Sequence, residues 1–345
     1  MTSNTPVFAE IFEELTSASG LAPSRVREVF DSIFDGKWTP AQIGGLLVAL
    51  RMKGETAETL AAAAAAMRAV MLRVDHGLPL VLDTCGTGGD RSSSLNLSTG
   101  AAVIAAAAGV PVAKHGNRAA TSRAGSADVL EALEIPLNVP VSGQATVLKT
   151  AGITFLFAIA HHPAMRHAMP TRRELQIRTL FNCLGPLANP AGATHQLIGA
   201  ADNATRALMS QALRELGTER AWVVRSADGL DEFSPSAPTH VTQVSGGQVE
   251  ELTLAPEDFG LERQDRSSIQ GGDTAFNAAA LSRVLRGEPH PARTAFILNA
   301  AAALVVAKGL TPKAAADLAQ EVTTSGAAFQ KLEAWRDVAR AAVNA

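Results

Sequence analysis

A glycine-rich run sets the first chemical question. Cys85-Gly86-Thr87-Gly88-Gly89-Asp90 follows a short apolar stretch and precedes a run of small polar residues that includes Ser94, Asn96, Ser98 and Thr99. Glycines in such a place admit positive φ and let a ligand approach the main chain. Their N–H groups can converge on phosphate oxygens, and a helix N-terminus just downstream adds partial positive charge. The run lacks the GK[ST] of a Walker loop and the GxGxxG of a dinucleotide loop. A plain strand-to-helix turn is the alternative reading. Asp90 tells against it, because a carboxylate beside a phosphate is repulsive unless a ribose hydroxyl or a metal ion needs it.

Lys114-His115-Gly116-Asn117-Arg118 is the second candidate, placed after another short apolar run, where parallel strands present ligand-binding loops. A solvated polar loop is the competing reading. Ser122, Gly125 and Ser126 continue it, and Ser126 is expected to cap a helix over 127–133. Asp231-Glu232, on a loop after Gly229-Leu230, could serve a hard cation such as Mg²⁺ together with substrate phosphate. Most adjacent acid pairs are only solvated surface. His161, His162 and His167 match no common zinc spacing, and no cysteine pair completes a site. Arg172, Arg173 and Arg178 are expected on one helix, and a guanidinium there is the natural bidentate partner for a substrate carboxylate.

These groups need a scaffold, and the chain is long enough for one. Its 345 residues suggest two domains, and 47% hydrophobic with 18% charged residues is ordinary globular composition. A formal charge of −3 argues against a sequence-independent nucleic-acid binder. Two cysteines in unrelated contexts, an acidic N-terminal stretch and apolar runs too short to span a bilayer point to a cytoplasmic protein with no membrane partner.

The first quarter reads as helices. Val26, Val29, Phe30, Ile33 and Phe34 form one helical stripe, Gly36 stops it, Thr39-Pro40 opens the next helix and Thr56 an Ala-rich one. From residue 78 the texture becomes strand, loop, helix, strand. Strands are expected at 78–83, 110–113, 154–158, 196–200 and 221–225, with a hairpin over 241–244 and 249–254. Ser98 or Thr99 is expected to cap the helix after the glycine run, and Asn203 the helix between the fourth and fifth strands. Helices return from Asn277 onward.

In order and approximate spacing, these segments resemble the anthranilate phosphoribosyltransferase family. The matching stretches are Gly86-Thr87-Gly88-Gly89-Asp90, Asn96-Leu97-Ser98-Thr99, Lys114-His115-Gly116-Asn117-Arg118 and the run from Gly125 to Leu133. His162-Pro163, Arg178-Thr179-Leu180-Phe181-Asn182, the run from Leu184 to Pro190 and Gly229-Leu230-Asp231-Glu232 match as well. The resemblance implies an α/β fold of the nucleoside phosphorylase and phosphoribosyltransferase type III kind. A small helical domain (1–74, with a helical excursion around 170–190) would join a larger α/β domain (75–345) with a mostly parallel central sheet. It implies Mg²⁺-dependent transfer from 5-phosphoribosyl-1-diphosphate (PRPP) to anthranilate, in tryptophan synthesis, by a homodimer formed through the helical domain.

Carried over residue by residue, the resemblance assigns PRPP to Gly86, Gly89, Asp90, Ser94, Asn96, Leu97, Ser98, Thr99, Lys114, His115, Gly116, Asn117, Arg118, Ser122 and Ser126. It assigns anthranilate to Gly86, Asn117 and Arg172, with His115, His162 and Pro186 lining its path, and the metal to Ser98, Asp231 and Glu232. The chain departs from the family at Arg91, where a glycine is usual. It also departs in the run from Ala119 to Ala124, which is serine-rich elsewhere, and in Arg225-Ser226-Ala227-Asp228, where a His-Gly is common. A pyrimidine nucleoside phosphorylase, which shares the implied fold, is the nearest alternative, and a nucleic-acid-binding relative a more distant one.

Overall fold

The computed structural model describes residues 5–90, 92–119 and 123–344. Arg91 and Ser122 therefore lie outside the described residues, as do Ala120 and Thr121 of the altered loop.

The chain opens with four helices, Phe8–Thr16, Pro23–Phe34, Pro40–Lys53 and Ala57–Val70. Val26, Val29, Phe30, Ile33 and Phe34 all turn inward, as their spacing requires. Thr39 accepts from the Gln42 N–H while the Gln42 side chain accepts from the Thr39 N–H, a reciprocal cap ahead of Pro40. Thr56 accepts from the Thr59 N–H at 3.2 Å and starts the Ala-rich helix. Two later helices, Met169–Leu175 and Phe181–Leu187, join this bundle, and Leu180, Phe181, Leu184 and Leu187 share its core with Phe30 and Leu60.

Among the described residues seven strands form one sheet: β1 (Leu82–Gly86), β2 (Val112–Gly116), β3 (Ile153–Phe157), β4 (His195–Gly199), β5 (Arg220–Ser226), β6 (Thr239–Ser245) and β7 (Gln248–Leu254). Their order is β3-β2-β1-β4-β5-β6-β7, parallel from β3 to β5 and antiparallel across β6 and β7. The chain winds outward from β1 to β3 on one side and from β4 to β7 on the other. The seam between β1 and β4 is thus the switch point, where open parallel sheets bind ligands at the carboxyl ends of their strands. Helices Leu97–Ala107, Arg293–Lys308 and Ala327–Val343 bury one face of the sheet. The other face meets helix Asn203–Glu215, whose Met209, Ala212 and Leu213 share a core with the bundle. Bundle and sheet are therefore packed through continuous apolar contact. Among the described residues no single helix is long and apolar enough to cross a membrane.

The expected strands exist, but the first two lie further along the chain. β1 ends at Gly86 and β2 at Gly116, so Cys85, Lys114 and His115 are strand residues, not loop residues. Hydrophobicity marks where a strand is buried, whereas hydrogen bonding extends it into polar sequence. The expected caps are corrected for a similar reason. The helix after the glycine run begins at Leu97, one residue before Ser98, and Asn96 holds its N-cap position. Asp202, not Asn203, accepts from the Thr205 N–H at 2.7 Å. Gly125, not Ser126, holds the N-cap position of the helix Ser126–Ala132, and the Asp128 carboxylate supplies the capping bond by accepting from the Gly125 N–H at 2.9 Å.

Candidate active site

The carboxyl ends of β1, β2, β4 and β5 bring the separated motifs to one cleft. After β1, Gly88 and Gly89 take φ of +63° and +87°, a conformation that strains any other residue type. Thr87 anchors this turn to β4 by donating its N–H to Gly199 O at 2.8 Å and accepting from the Ala201 N–H at 3.1 Å. Gly199 itself leaves no space for a side chain, because the main chain of Asp231 lies directly against it. A methyl group on Gly86 would sit 3.4 Å from Asp231 Oδ2. The glycine turn and the acid pair are therefore neighbours, joined by close main-chain approach.

The acid pair is held tightly. Ser226 accepts the Ser234 N–H and donates its hydroxyl to Glu232 O at 2.7 Å, while Asn299 brackets Phe233 by accepting its N–H at 3.0 Å and donating to its carbonyl at 2.9 Å. Glu232 Oε1 accepts the Ser98 N–H at 2.9 Å, from the first turn of helix Leu97–Ala107. Its other oxygen, Oε2, is enclosed without a hydrogen-bond partner. Burial raises the Asp231 pKa well above the usual carboxylate range, with Asp90 and Glu232 pushing the same way. Glu232 is pushed up to about 7 by burial, against the pull of the Ser98 N–H and Lys114. Lys114 reaches from β2 to donate to Thr84 O and to Ser98 Oγ, and burial lowers its pKa despite the opposing charges of Asp83 and Glu232. Asp90, Asp231 and Glu232 crowd one helix N-terminus beside the buried Lys114 ammonium, with Arg225 close to Asp231, and burial together with this crowding favours the protonated acids until a cation joins them.

On the other side of Lys114, His115 points toward the bundle. Its Nδ1–H donates to Gly185 O at 3.0 Å, so in the neutral ring Nε2 accepts, here from His162 Nε2–H at 3.2 Å. Burial first, then the neighbouring His115, lowers the His162 pKa to about 3. Between its ordinary value of 6.5 and about 3, the unfolded chain takes up a proton that folded His162 refuses, so this group costs stability as pH falls. The loss reaches about 2 kcal/mol at pH 5. Thermal melts at pH 7 and pH 5 should therefore show a smaller acid-side fall in Tm for His162→Gln than for the parent, by a few degrees.

Most of the expected residues reach this cleft. Gly86 ends β1 with Gly89 and Asp90 just after it, Lys114, His115 and Gly116 end β2, and Asn117 follows, exposed. Asn96 is fixed by donating to Ala124 O and accepting from Asn277 Nδ2 at 2.9 Å. Ser94 pairs with Gln270 in an isolated bridge, and the Ser126 hydroxyl donates to Asn117 O. Thr99 is buried with its hydroxyl unpartnered. Pro186, expected on the anthranilate path, does not reach the cleft: it is buried, its carbonyl accepts from Gln196 Nε2 at 2.7 Å, and it lies toward the start of β4, at the far end of the sheet.

Two more expected residues are not aimed at the cleft. Leu97 is fully buried in the core, leaving only its main chain to face a ligand. The Arg118 guanidinium pairs with Asp128 at 3.0 Å and Glu131 at 2.8 Å on helix Ser126–Ala132, which satisfies its charge there. The three arginines do not share a helix: Arg172 and Arg173 lie on Met169–Leu175, and the left-handed Gln176 ends it before Arg178. Arg178 instead donates to Gly88 O, while Arg51 of the bundle donates to the Arg178 carbonyl. Arg172 lies over the Phe181 ring at 5.4 Å and, among the described residues, pairs with no carboxylate. Its pKa is lowered by burial alone.

Some positioning residues carry no motif signal of their own. Asp83, fully buried, accepts the His115 N–H at 3.0 Å and the Asn189 side chain at 2.8 Å, and so ties β1, β2 and the segment after Phe181–Leu187 together. Asn299 was visible only as an interruption in an apolar run. A buried polar residue in apolar sequence needs a partner, which is the one clue the chain offers.

A helical bundle packed on a mostly parallel sheet, with a glycine turn and an acid pair at the switch point, defines a two-part glycosyltransferase. The family model described as glycosyl transferase family, helical bundle domain, matches residues 9–71, and the one described as glycosyl transferase family, a/b domain, matches residues 78–329. The anthranilate phosphoribosyltransferase of Methylocella silvestris is 49% identical over 294 residues, covering 85% of this chain and 84% of its own. That of Rhodopseudomonas palustris is 45% identical over 336 residues, covering 97% and 99%. The crystal structure of the Thermus thermophilus enzyme superposes with a TM-score of 0.89 at 39% identity, over 99% of this chain and all of that one. The Saccharomyces cerevisiae enzyme in complex with PRPP and Mg gives 0.90 at 26% identity, over 99% of this chain and 100% of that one. The chain belongs to the anthranilate phosphoribosyltransferase family.

Proposed function

We propose that this cleft joins anthranilate to PRPP as a step of tryptophan biosynthesis, with the Asp231-Glu232 pair, Lys114 and the glycine turn gripping the diphosphate end of the sugar. The C1–O bond to diphosphate breaks, the anthranilate nitrogen bonds to C1, and that nitrogen gives up one proton. The amine is neutral at pH 7 and its lone pair can attack unaided. The demanding event is the departure of diphosphate, which builds negative charge on the leaving oxygens. The main-chain N–H groups after β1 and the buried Lys114 are set to meet that charge without reorganising.

The observation that carries the reading is the crowding of Asp90, Asp231 and Glu232 at the N-terminus of helix Leu97–Ala107, with Glu232 Oε2 enclosed and unpartnered and the acid pair's pKa values raised for want of a cation. The adjacent Asp231 and Glu232 carboxyls suit Mg²⁺, which is commonly held by one or two carboxylates plus substrate phosphates. Asp231 and Glu232 would hold it, with Ser98 beside them. When bound, the ion supplies positive charge to the diphosphate oxygens.

Arg172, free of a carboxylate partner, is assigned the anthranilate carboxylate, and Asn117, His115 and His162 line the approach to C1. The neutral His115–His162 pair adds no charge to repel or trap the substrate. Val7, Phe12 and Met52, exposed on the bundle, offer apolar surface to a second copy of this chain. A homodimer through the helical domain and a cytoplasmic location complete the reading.

The experiment is direct. Anthranilate fluorescence should decay when protein, PRPP and Mg²⁺ are all present, and stay constant when any one is omitted. Thymidine and phosphate should give no reaction. Steady anthranilate fluorescence in the full mixture, with thymidine consumed instead, would establish the phosphorylase reading.

A further inference from the structure

We propose that the molecule carries a second anion-binding site, at the end of the sheet opposite the catalytic cleft, built around Arg68 and Arg73 and suited to a small phosphate or carboxylate. A cavity of about 300 Å³ opens where β4 and β5 begin, between residues 192–194, residues 216–219 and the end of helix Ala57–Val70, with Pro186 in its wall on this far side of the sheet. The glycine turn and the acid pair lie past the other ends of these strands. At ~3.3 Å per residue the length of β4 alone separates the two places by roughly 13 Å.

Arg68 is half-buried in the cavity wall, and its Nε donates to Leu187 O at 2.6 Å. No other acceptor meets its guanidinium among the described residues, and its Nη atoms are not enclosed, so those donors are left to the cavity. Arg73 lines the same cavity and, among the described residues, has no ion-pair partner. Burial lowers the Arg68 pKa, and the charge of Arg73 lowers it further, which places the two guanidiniums close enough to repel. Two like charges on one concave wall are unfavourable until an anion lies between them, and the planar guanidinium is the group best shaped to bind one. Thr218 adds a hydroxyl to the lining. Glu219, the carboxylate on the wall, pairs with neither arginine, and its charge instead partly offsets the burial that lowers the His195 pKa. The volume is at the small end of ligand pockets and suits a small anion better than a nucleotide.

Calorimetric titration of the full chain with inorganic phosphate, and separately with malonate, tests this. One set is run with Mg²⁺ and PRPP saturating, so that the catalytic cleft is filled, and one without. The expected result is an anion-binding event that persists in the presence of PRPP and weakens about tenfold in Arg73→Gln and in Arg68→Gln. Arg73 is exposed, so its variant keeps the fold, and glutamine at 68 retains an N–H for Leu187 O. Tighter phosphate than malonate identifies a phosphorylated ligand, and the reverse order a carboxylate; either supports the site. Absence of any binding in the PRPP-filled protein, or binding unchanged in both arginine variants, overturns it. Should the assignment of PRPP to the cleft fail, the arm without PRPP still reads the arginine-dependent event by itself.

Discussion

Asp231→Asn combined with Glu232→Gln should lower kcat/KM by about a thousandfold, and added Mg²⁺ should not restore it. The size follows from what the pair is placed to do. A metal charge on a departing diphosphate is worth several kcal/mol, and losing about 4 kcal/mol of transition-state stabilisation is a thousandfold in rate. The neutral isosteres keep the shape of the loop held by Ser226 and Asn299, so the change is one of charge. They also remove the repulsion with Asp90 that contributes to the raised Asp231 pKa. The metal-free double variant should therefore melt no lower than the metal-free parent. Activity measured across a Mg²⁺ series, beside thermal melts in chelator, separates lost metal binding from lost folding. A parent-like Mg²⁺ response in the variant would show that the ion is held elsewhere.

Arg172→Ala should raise KM for anthranilate about a hundredfold while leaving KM for PRPP close to the parent value. A charge-assisted hydrogen bond contributes ~1.5–3 kcal/mol, and a bidentate guanidinium–carboxylate pair lies at the upper end of that range. The geometry supports a waiting cation. Arg172 stacks on Phe181, is lowered by burial, and meets no carboxylate among the described residues. Arg172→Lys should recover part of the loss, since the charge returns without the planar fork. Steady-state kinetics with each substrate varied in turn checks this. An unchanged anthranilate KM would transfer the carboxylate to another group, such as the exposed Asn117.

Local sequence was informative where one short-range force decides. The apolar stripe from Val26 to Phe34 had to be a buried helix face, and Thr39-Pro40 had to begin a helix, because periodicity and capping act within a few residues. The glycine turn, the polar end of β2 and the acid pair were legible because chemistry this dense is costly to place without a use. Strand ends and caps were less legible. Lys114 lies in a strand because β3 pairs with its main chain, and Gly125 needs no side chain to hold an N-cap position because Asp128 reaches back to its N–H.

What the chain determined by itself was therefore the inventory: which residues could bind phosphate, a cation or a carboxylate, and the α/β order of the elements that carry them. Which of them act together was decided only in three dimensions. Arg118, within the most conspicuous basic run, is neutralised by Asp128 and Glu131, whereas Asp83, Asn299 and Gly199, in unremarkable sequence, fix the site by buried hydrogen bonds and close main-chain contact. The reason is range. Propensity and periodicity act over a few neighbouring residues, but burial and charge pairing depend on groups more than a hundred positions apart, as Ser98 and Glu232 are.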